Sequence, residues 1–157
     1  MIMRTGFGYD VHALTEGREL WLGGIRIDHP YGLMGHSDAD VLIHAVCDAL
    51  LGAANMRDIG HHFPDTSGKY KNIDSKILLR ETMRMLREAG YELGNMDATI
   101  VAEQPKLNPY IPEMQKTMAE VMSVPVNDLS IKATTTENLG FAGRREGIAA
   151  YAVVLIK

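Results

Sequence analysis

Two short segments of the chain carry side chains that commonly bind metal ions. Asp10 and His12 are two positions apart, so in an extended segment they point to the same side. Asp40, His44 and Asp48 follow one another at intervals of four, which places them on one face of a helix. Asp10, His12 and His44 together would supply three ligands of the kind that zinc accepts, with a fourth position left open for a substrate.

The same residues also have a simpler interpretation. A pair of the form Asp-x-His arises often by chance, and a histidine on a buried helix can be an ordinary core residue that is hydrogen-bonded to an aspartate. In the metal-site interpretation, the carboxylates of Asp40 and Asp48 would act as supporting groups that orient the imidazole of His44. The spacing alone leaves both interpretations open.

The residues around these side chains predict the elements that carry them. Residues 4–13 are typical of a strand, and the glycines within it, Gly6 and Gly8, indicate a bulge or a close approach of another group. Apolar residues recur at intervals of three and four between Val41 and Leu50, which predicts a helix over residues 38–54. Ser37 is the expected N-cap, with Asp40 completing a variant of the capping box.

Three later segments carry groups that suit phosphate. Thr134-Thr135-Thr136-Glu137 offers hydroxyls and backbone N–H groups for phosphate oxygens and a carboxylate for a hard divalent cation. The segment 140–147 is rich in glycine and carries two arginines, whose planar forks suit phosphate. Lys106 follows a predicted strand. Each segment also fits a simpler interpretation as a threonine-rich strand end, a solvated turn or a surface lysine.

The remaining periodicities complete a fold prediction. Residues 20–27 indicate a hairpin and residues 28–37 a loop. Further helices are predicted over 73–89 and 111–122, and further strands over 91–102, 129–133 and 148–156. In the helix over 73–89, we expect Ile77, Leu78, Met83, Met85 and Leu86 to point inward. Strands that alternate with helices predict one domain over residues 1–157, an α/β (α+β) sandwich with a single mixed sheet packed on one side by helices.

The composition restricts the function classes. Hydrophobic residues make up 46% of the chain, charged residues 23%, and the net charge is −4, which gives no general argument for nucleic acid or an anionic membrane as a partner, and neither is expected. The single cysteine, Cys47, is expected to be a small buried hydrophobe. No apolar run approaches the roughly 20 residues that span a bilayer, and no signal peptide is visible, so a cytoplasmic location is expected.

Taken in order, these segments resemble the 2-C-methyl-D-erythritol 2,4-cyclodiphosphate synthase family along essentially the whole chain. The motifs that carry the resemblance are Gly6-Phe7-Gly8-Tyr9-Asp10-Val11-His12, Gly35-His36-Ser37-Asp38-Ala39-Asp40 with His44 and Asp48, Asp58-Ile59-Gly60 with Phe63-Pro64-Asp65, Gln104-Pro105-Lys106, Lys132-Ala133-Thr134-Thr135-Thr136-Glu137 and Gly140-Phe141-Ala142-Gly143-Arg144.

The resemblance implies an enzyme of the non-mevalonate route to isoprenoid precursors. Such an enzyme is a phosphorus–oxygen lyase that cyclises 4-diphosphocytidyl-2-C-methyl-D-erythritol 2-phosphate and releases CMP. Because the 2-phosphate of the substrate attacks its own β-phosphate, no side chain has to act as the nucleophile. Two phosphates repel each other, so cations and hydrogen-bond donors are expected to do most of the catalytic work.

The resemblance also implies a role for each matching residue. Zinc would be bound by Asp10, His12 and His44, and magnesium or manganese, shared with the phosphates, by Glu137; His36 and Thr135 would stabilise the transition state. The methylerythritol would contact Ser37 and Asp65, and the ribose would contact Asp58 and Gly60. Further substrate contacts would come from Ile59, Phe63, Thr134 and Thr136, and the cytidine pocket from residues 102–108, including Ala102, Pro105, Lys106 and Leu107.

A homotrimer is a further implication, with the sheets around the three-fold axis and each active site between two subunits. Phe141 and Arg144 match residues near a central cavity in which an isoprenoid diphosphate can bind. Two positions depart from the family pattern near that cavity. Arg145 replaces a residue that is usually small, commonly glycine, and Tyr151 replaces one that is often acidic or histidine.

Two other classes of function fit part of the pattern. A zinc hydrolase of phosphate esters would use the same three metal ligands, but the chain offers no convincing general base beside them and the cytidine segment would be unexplained. An isoprenoid-binding regulator without activity would not need the complete ligand set that this chain retains.

Overall fold

The computed structural model describes residues 2–157, which form seven strands in two sheets and five α-helices. The elements are β1 (Arg4–Glu16), β2 (Leu20–Leu22), β3 (Ile25–Ile27), β4 (Tyr31–Leu33), α1 (Val41–Ala53), α2 (Ile59–His62), α3 (Ser75–Glu88), β5 (Leu93–Val101), α4 (Ile111–Met122), β6 (Leu129–Thr134), α5 (Gly140–Gly143) and β7 (Gly147–Ile156). Short 3₁₀ turns lie at 68–70, 108–110 and 126–128.

The main sheet has five strands in the order β4-β1-β7-β5-β6. Strands β5 and β6 are parallel, and the other neighbouring pairs are antiparallel, so the sheet is mixed as predicted. The prediction of a single sheet is wrong in one respect, because β2 and β3 form a separate two-stranded sheet. Gly23 and Gly24 turn this hairpin with φ values of 60° and 78°, a conformation that favours glycine.

Helix α1 packs directly on β1 because two glycines leave room for it. A Cβ on Gly6 would lie 1.9 Å from the carbonyl oxygen of Ala49, and one on Gly8 would lie 1.8 Å from that of Ala45. Their role in the strand is therefore the close approach of another backbone, one of the two alternatives that the sequence left open. The apolar residues of α1, which include Leu42, Val46 and Leu50, are fully buried.

The helix and strand predictions hold in outline, with local errors. Helix α4 has the predicted bounds, whereas α1 begins three residues later than predicted. Strand β4 was missed because its three residues pair with β1, a contact that local sequence does not reveal. Ile77 is 49% exposed rather than inward, because the buried face of α3 runs through Leu78, Leu79, Thr82, Met83 and Leu86.

One face of the main sheet is not covered by helices in the single chain. It carries apolar side chains from β1 and β7 that are 41–63% exposed: Phe7, Tyr9, Val11, Tyr151 and Val153. Tyr9 and Tyr151 face each other across the strand pair with ring centroids 5.0 Å apart. A contiguous apolar surface of this kind is typical of an interaction site.

Two further expectations concern Cys47 and the membrane. Cys47 is fully buried in α1, as predicted, and burial raises the pKa of its thiol to about 12. Among residues 2–157, no helix combines the length and the apolar character that crossing a membrane requires.

Candidate active site

Asp10, His12 and His44 meet at one point between β1 and α1. Asp10 Oδ2 lies 2.8 Å from His12 Nε2 and 3.1 Å from His44 Nδ1, and the two ring nitrogens are 3.2 Å apart. All three side chains are partly buried and form a group that could hold a metal ion. The structure therefore brings together the three residues that the sequence singled out as ligands.

Hydrogen bonds on the far side of each imidazole fix its orientation. His12 Nδ1 donates to the carbonyl oxygen of Met34 at 2.9 Å, which leaves its Nε2 facing the cluster. His44 Nε2 lies 2.9 Å from Ser75 Oγ and 3.2 Å from Ser37 Oγ, so its Nδ1 faces the cluster. In the neutral tautomers that metal binding requires, both ring nitrogens would point a lone pair toward the same place as the Asp10 carboxylate, whereas without a metal ion protons on these nitrogens can hydrogen-bond to Asp10.

The charges of the cluster suit a cation. Burial opposes the ionised form of Asp10, but hydrogen bonds from His12 and His44 outweigh it and lower the pKa of this carboxyl well below its usual range. Burial likewise opposes the charged form of His12, but the hydrogen bond and charge of Asp10 outweigh it and raise the pKa of this imidazole. Asp10 is thus ionised at neutral pH, and its carboxylate can accept a hydrogen bond from a protonated His12 or bind a metal ion.

The ligand spacing fits a tetrahedral ion. At zinc–nitrogen distances of about 2.0–2.1 Å, tetrahedral ligand atoms are separated by roughly 3.3 Å. The three separations of 2.8–3.2 Å differ from this by about half an ångström at most. Two imidazole nitrogens and one carboxylate oxygen are also a donor set typical of zinc. The residues present therefore fit the metal that the motifs predicted.

The expected support of His44 by Asp40 and Asp48 is wrong. Asp40 is the N-cap of α1, in place of Ser37, and its buried carboxylate accepts hydrogen bonds from the backbone of Ile43, Gly23 and Gly24 at 2.7–3.1 Å. Burial and the nearby Asp38 raise its pKa to about 6, and these backbone bonds act against that rise. Its extended backbone, with φ −65° and ψ 91°, turns the side chain toward the β2–β3 hairpin instead of His44.

Asp48 supports a neighbouring segment instead. Its carboxylate accepts a hydrogen bond of 2.7 Å from the backbone N–H of Ile59, at the start of α2. Burial raises the pKa of Asp48, and the Ile59 bond acts in the opposite direction. This contact anchors residues 59–60 beside the metal ligands, so Asp48 shapes the site without touching His44.

A pocket of about 390 Å³ opens beside the three ligands. It is lined by nine of the predicted site residues, Asp10, His12, His36, Ser37, His44, Ile59, Gly60, Phe63 and Asp65, and also by Gly35, Tyr70, Ile73 and Leu78. His36 Nε2 donates to the carbonyl oxygen of Ser67 at 3.1 Å, which orients its ring. Asp58 occupies the N-cap position of α2 without a side-chain capping hydrogen bond, and it does not line this pocket.

A second pocket of about 450 Å³ lies at the ends of β5 and β6. Its lining includes six of the predicted residues, Ala102, Pro105, Lys106, Leu107, Thr134 and Thr135, together with Glu103, Asn108 and Ala133. The two pockets share no lining residue. Strand β7 separates β1, which carries two of the candidate metal ligands, from β5. Within one chain, the predicted cytidine segment and the predicted metal site are therefore separate.

The other predicted residues lie outside both pockets. Glu137 is exposed with φ 54°, and Thr136 donates from its N–H to Glu103 Oε1 at 3.0 Å. Phe141 is 38% exposed. Arg144 is exposed and forms an ion pair of 2.8 Å with Glu146.

Sequence reasoning missed the roles of three residues near the site, Ser75, Asp38 and Glu103, although Glu103 lies within the predicted cytidine segment 102–108. Ser75 contacts His44 and hydrogen-bonds to Asp38, and neither was assigned a role. Glu103 accepts hydrogen bonds from the backbone N–H groups of Thr136 and Asn138, which hold the loop after β6. Asp38 lies within the recognised motif, but Ser75 begins a distant helix, and nothing in its local sequence indicates the contact.

Comparison with known proteins decides the family. The model of the YgbB family matches residues 3–157. The chain belongs to this family. A 2-C-methyl-D-erythritol 2,4-cyclodiphosphate synthase from Parabacteroides distasonis is 77% identical over 157 residues, with 100% of this chain and 98% of the relative covered. One from Bacteroides thetaiotaomicron is 69% identical, with 100% and 99% covered. The resemblance that the motifs indicated is confirmed.

Solved structures of YgbB-family relatives have the same fold. A 2C-methyl-D-erythritol-2,4-cyclodiphosphate synthase in its CDP-bound form superposes with a TM-score of 0.90 at 36% identity, covering 98% of this chain and 100% of that one. The bifunctional IspDF from Campylobacter jejuni gives a TM-score of 0.96 at 44% identity. The match covers 99% of this chain but 42% of that longer chain.

Proposed function

We propose that this YgbB-family chain converts 4-diphosphocytidyl-2-C-methyl-D-erythritol 2-phosphate to 2-C-methyl-D-erythritol 2,4-cyclodiphosphate and releases CMP. An oxygen of the 2-phosphate forms a bond to the β-phosphorus, and the bond from that phosphorus to the oxygen bridging to CMP breaks. The reaction belongs to non-mevalonate isoprenoid precursor synthesis, and we propose that it takes place in the cytoplasm.

The observation that carries this proposal is the candidate metal-binding cluster in the lining of a pocket to which the described residues contribute neither lysine nor arginine. Among the described residues, neither lysine nor arginine lines the pocket beside Asp10, His12 and His44. A phosphorylated substrate would bring several negative charges into this pocket, next to a carboxylate. A cation on the three ligands would offset that charge, and when bound, zinc polarises a phosphoryl oxygen as a Lewis acid.

The chain's own side chains would orient the substrate around that cation. Ser37 and Asp65 offer a hydroxyl and a carboxylate to the methylerythritol hydroxyls in the same pocket. His36, whose ring is held by the Ser67 carbonyl oxygen, would lie near a phosphate oxygen in this proposal, and Asp58 and Gly60 would receive the ribose. In the second pocket, Lys106 supplies a cation, and the threonines supply hydroxyls to the diphosphate and the cytidine. Glu137 would hold magnesium or manganese with the phosphates.

A homotrimer would join the two pockets. The substrate extends from the methylerythritol phosphate to the cytosine, whereas the two pockets of one chain lie on different strands of its sheet. The exposed apolar face formed by Phe7, Tyr9, Val11, Tyr151 and Val153 offers a surface for subunit contact. We propose that a neighbouring subunit completes each site, and that Phe141 and Arg144 lie near a central cavity able to accept an isoprenoid diphosphate.

Release of CMP from the authentic substrate tests the activity. We expect equimolar CMP and cyclic diphosphate from the metal-loaded protein, no CMP after chelation, and recovery when zinc and magnesium are added back. Detection of inorganic phosphate in place of CMP would instead support a zinc hydrolase. Absence of both products from the metal-loaded protein would contradict the proposed function.

A further inference from the structure

We infer that Ser75 and Asp38 form a hydrogen-bonded relay that holds His44 in the tautomer and orientation required for metal binding. In this role both are positioning residues, because they act on the metal through His44 and do not touch it. The inference rests on the metal centre proposed above and assigns a function to two polar side chains that the proposed reaction does not use.

The relay begins at the ring of His44. A metal ion at the cluster would bind the lone pair of Nδ1, which faces Asp10 and His12, so the proton of the neutral ring would then reside on Nε2. The hydroxyl oxygen of Ser75 lies 2.9 Å from Nε2 and accepts that proton's hydrogen bond. Ser75 in turn donates its hydroxyl proton to Asp38 Oδ1. The order of donors and acceptors along the relay is therefore fixed from the metal position to the carboxylate.

Ser75 is the better placed of the two hydroxyls near His44. Ser37 Oγ is more distant from Nε2, at 3.2 Å, and it already accepts a hydrogen bond from the backbone N–H of Ala39 at 3.1 Å. The Ser75 hydroxyl donates to a carboxylate, which polarises it and strengthens its acceptance of the histidine N–H. Ser75 is also fully buried, so water does not replace its oxygen.

The hydroxyl of Ser75 has no separate task in forming helix α3. The N-cap of that helix is Asp74, whose side chain accepts from the backbone N–H of Lys76 at 2.9 Å. Asp38 Oδ2 also accepts from the backbone N–H of Ser75 at 2.9 Å. Replacing Ser75 by alanine would keep that backbone bond and remove only the hydroxyl. This substitution therefore separates the relay from the start of the helix.

Zinc affinity tests the relay directly. The zinc dissociation constant of the full chain is measured by equilibrium competition with a chromophoric chelator at pH 7.5. We expect Ser75→Ala to weaken zinc binding by about 10-fold or more, within the range of about 10–100-fold for residues that support a metal ligand. Asp38→Asn should weaken it in the same direction. The double variant should lose no more zinc affinity than the more affected single variant, because both substitutions break the same relay.

Two controls exclude a general loosening of the fold. Thr82 is a second fully buried hydroxyl on α3, and it donates to the carbonyl oxygen of Leu78 at 2.9 Å without contacting a metal ligand. Thr82→Ala should keep zinc affinity within about 2-fold, well below the effect on a supporting residue. Ser37→Ala should weaken zinc binding less than Ser75→Ala. A ¹⁵N-imidazole spectrum should show a protected His44 Nε2–H in the zinc-loaded wild type and its loss in Ser75→Ala.

The possible results have distinct meanings. Wild-type affinity in Ser75→Ala would overturn the relay and leave the metal centre intact, and so would equal losses in Ser75→Ala and Thr82→Ala. A larger loss in Ser37→Ala than in Ser75→Ala would show that the wrong hydroxyl was chosen and would also overturn it. A wild-type chain that binds no zinc would overturn the proposed metal centre and the relay together.

Discussion

Gly8 lies against the backbone of Ala45, so closely that a Cβ on Gly8 would be 1.8 Å from the Ala45 carbonyl oxygen. Gly8 is two residues before Asp10 on β1, and Ala45 directly follows His44 on α1. This contact therefore sets the distance between the two elements that carry the metal ligands. A larger residue at position 8 would move the ligands apart before it disturbed any of them directly.

We predict that Gly8→Ala abolishes metal binding and strongly destabilises the fold. The new methyl group would have to displace the backbone of α1, so we expect a loss of about 3 kcal/mol or more in the free energy of unfolding. Urea unfolding and metal analysis of the purified protein measure both effects. Gly52→Ala, also on α1, is the matched control, because a Cβ there meets nothing within 4 Å and should be neutral or slightly stabilising. Equal behaviour of the two variants would contradict the role assigned to Gly8.

His44→Ala should remove metal and activity together while the fold survives. One of three ligands is lost, and the apolar residues of α1 are untouched, so we expect a metal affinity reduced by more than about 100-fold and a circular dichroism spectrum like that of wild type. His29→Ala is the control, because the His29 ring lies beside that of Tyr31, with centroids 6.0 Å apart, and takes no part in the cluster. An active, metal-replete His44→Ala protein would exclude this metal site.

The stabilising effect of zinc should increase with pH. In the metal-free protein the folded pKa of His12 is raised above its unfolded value, so its contribution to stability is complete below about pH 6.5 and is lost as pH rises through the raised pKa. The folded pKa of Asp10 is lowered, so its contribution persists above about pH 4. Zinc needs neutral histidines and therefore competes with protons.

We accordingly expect the difference in unfolding temperature between zinc-loaded and metal-free protein to grow between pH 5.5 and 8. Thermal unfolding at fixed zinc and protein concentrations measures it. His44→Ala should show almost no difference at any pH. A difference that stays constant across this range in the wild type would be inconsistent with two histidine ligands.

Mixed trimers should recover activity from two inactive variants. His44→Ala removes the metal half of a site, and Lys106→Ala removes part of the cytidine half. If neighbouring subunits supply the two halves, random co-refolding of equal amounts restores about a quarter of the sites, because each half is intact with a probability of about one half. Activity is measured as CMP release, and subunit mixing is confirmed by mass. Mixed trimers with no activity above that of the separate variants would place both halves in one subunit.

Arg145 has φ 61°, a left-handed conformation that favours glycine. This conformation costs a residue with a Cβ about 1–2 kcal/mol, a cost that glycine avoids. Glycine also has more conformational freedom in the unfolded chain, which cancels part of that advantage. We predict that Arg145→Gly is about 0.5–1 kcal/mol more stable to urea than Arg145→Ala, which removes the charge but keeps the Cβ. Equal stability of the two variants would show that no strain is stored there.

Sequence reasoning succeeded where one element carries its own signal. The Asp10-His12 pair depends only on the alternation of a strand, and the bounds of α4 follow from its own apolar period. It failed where a side chain has a choice of partners. Asp40 shares a helical spacing with His44, yet its carboxylate binds the backbone of a hairpin that local periodicity does not connect to it.

The contact between Ser75 and His44 could not be predicted from the sequence for a related reason. Ser75 is 31 residues from His44 and approaches it only because α3 packs beside α1. The local sequence around Ser75 indicates a helix start and nothing more. The family resemblance supplied the residues predicted to meet a substrate, whereas the residues that position them required coordinates.

Strand β1 presents the metal ligands on one face and Phe7, Tyr9 and Val11 on the other. A single backbone therefore serves both the metal centre and the surface proposed for subunit contact. Whatever free energy assembly adds to metal affinity, metal must add to assembly by the same amount. Dilution of the enzyme would then lower its apparent metal affinity. Removal of metal would raise the protein concentration at which its subunits dissociate.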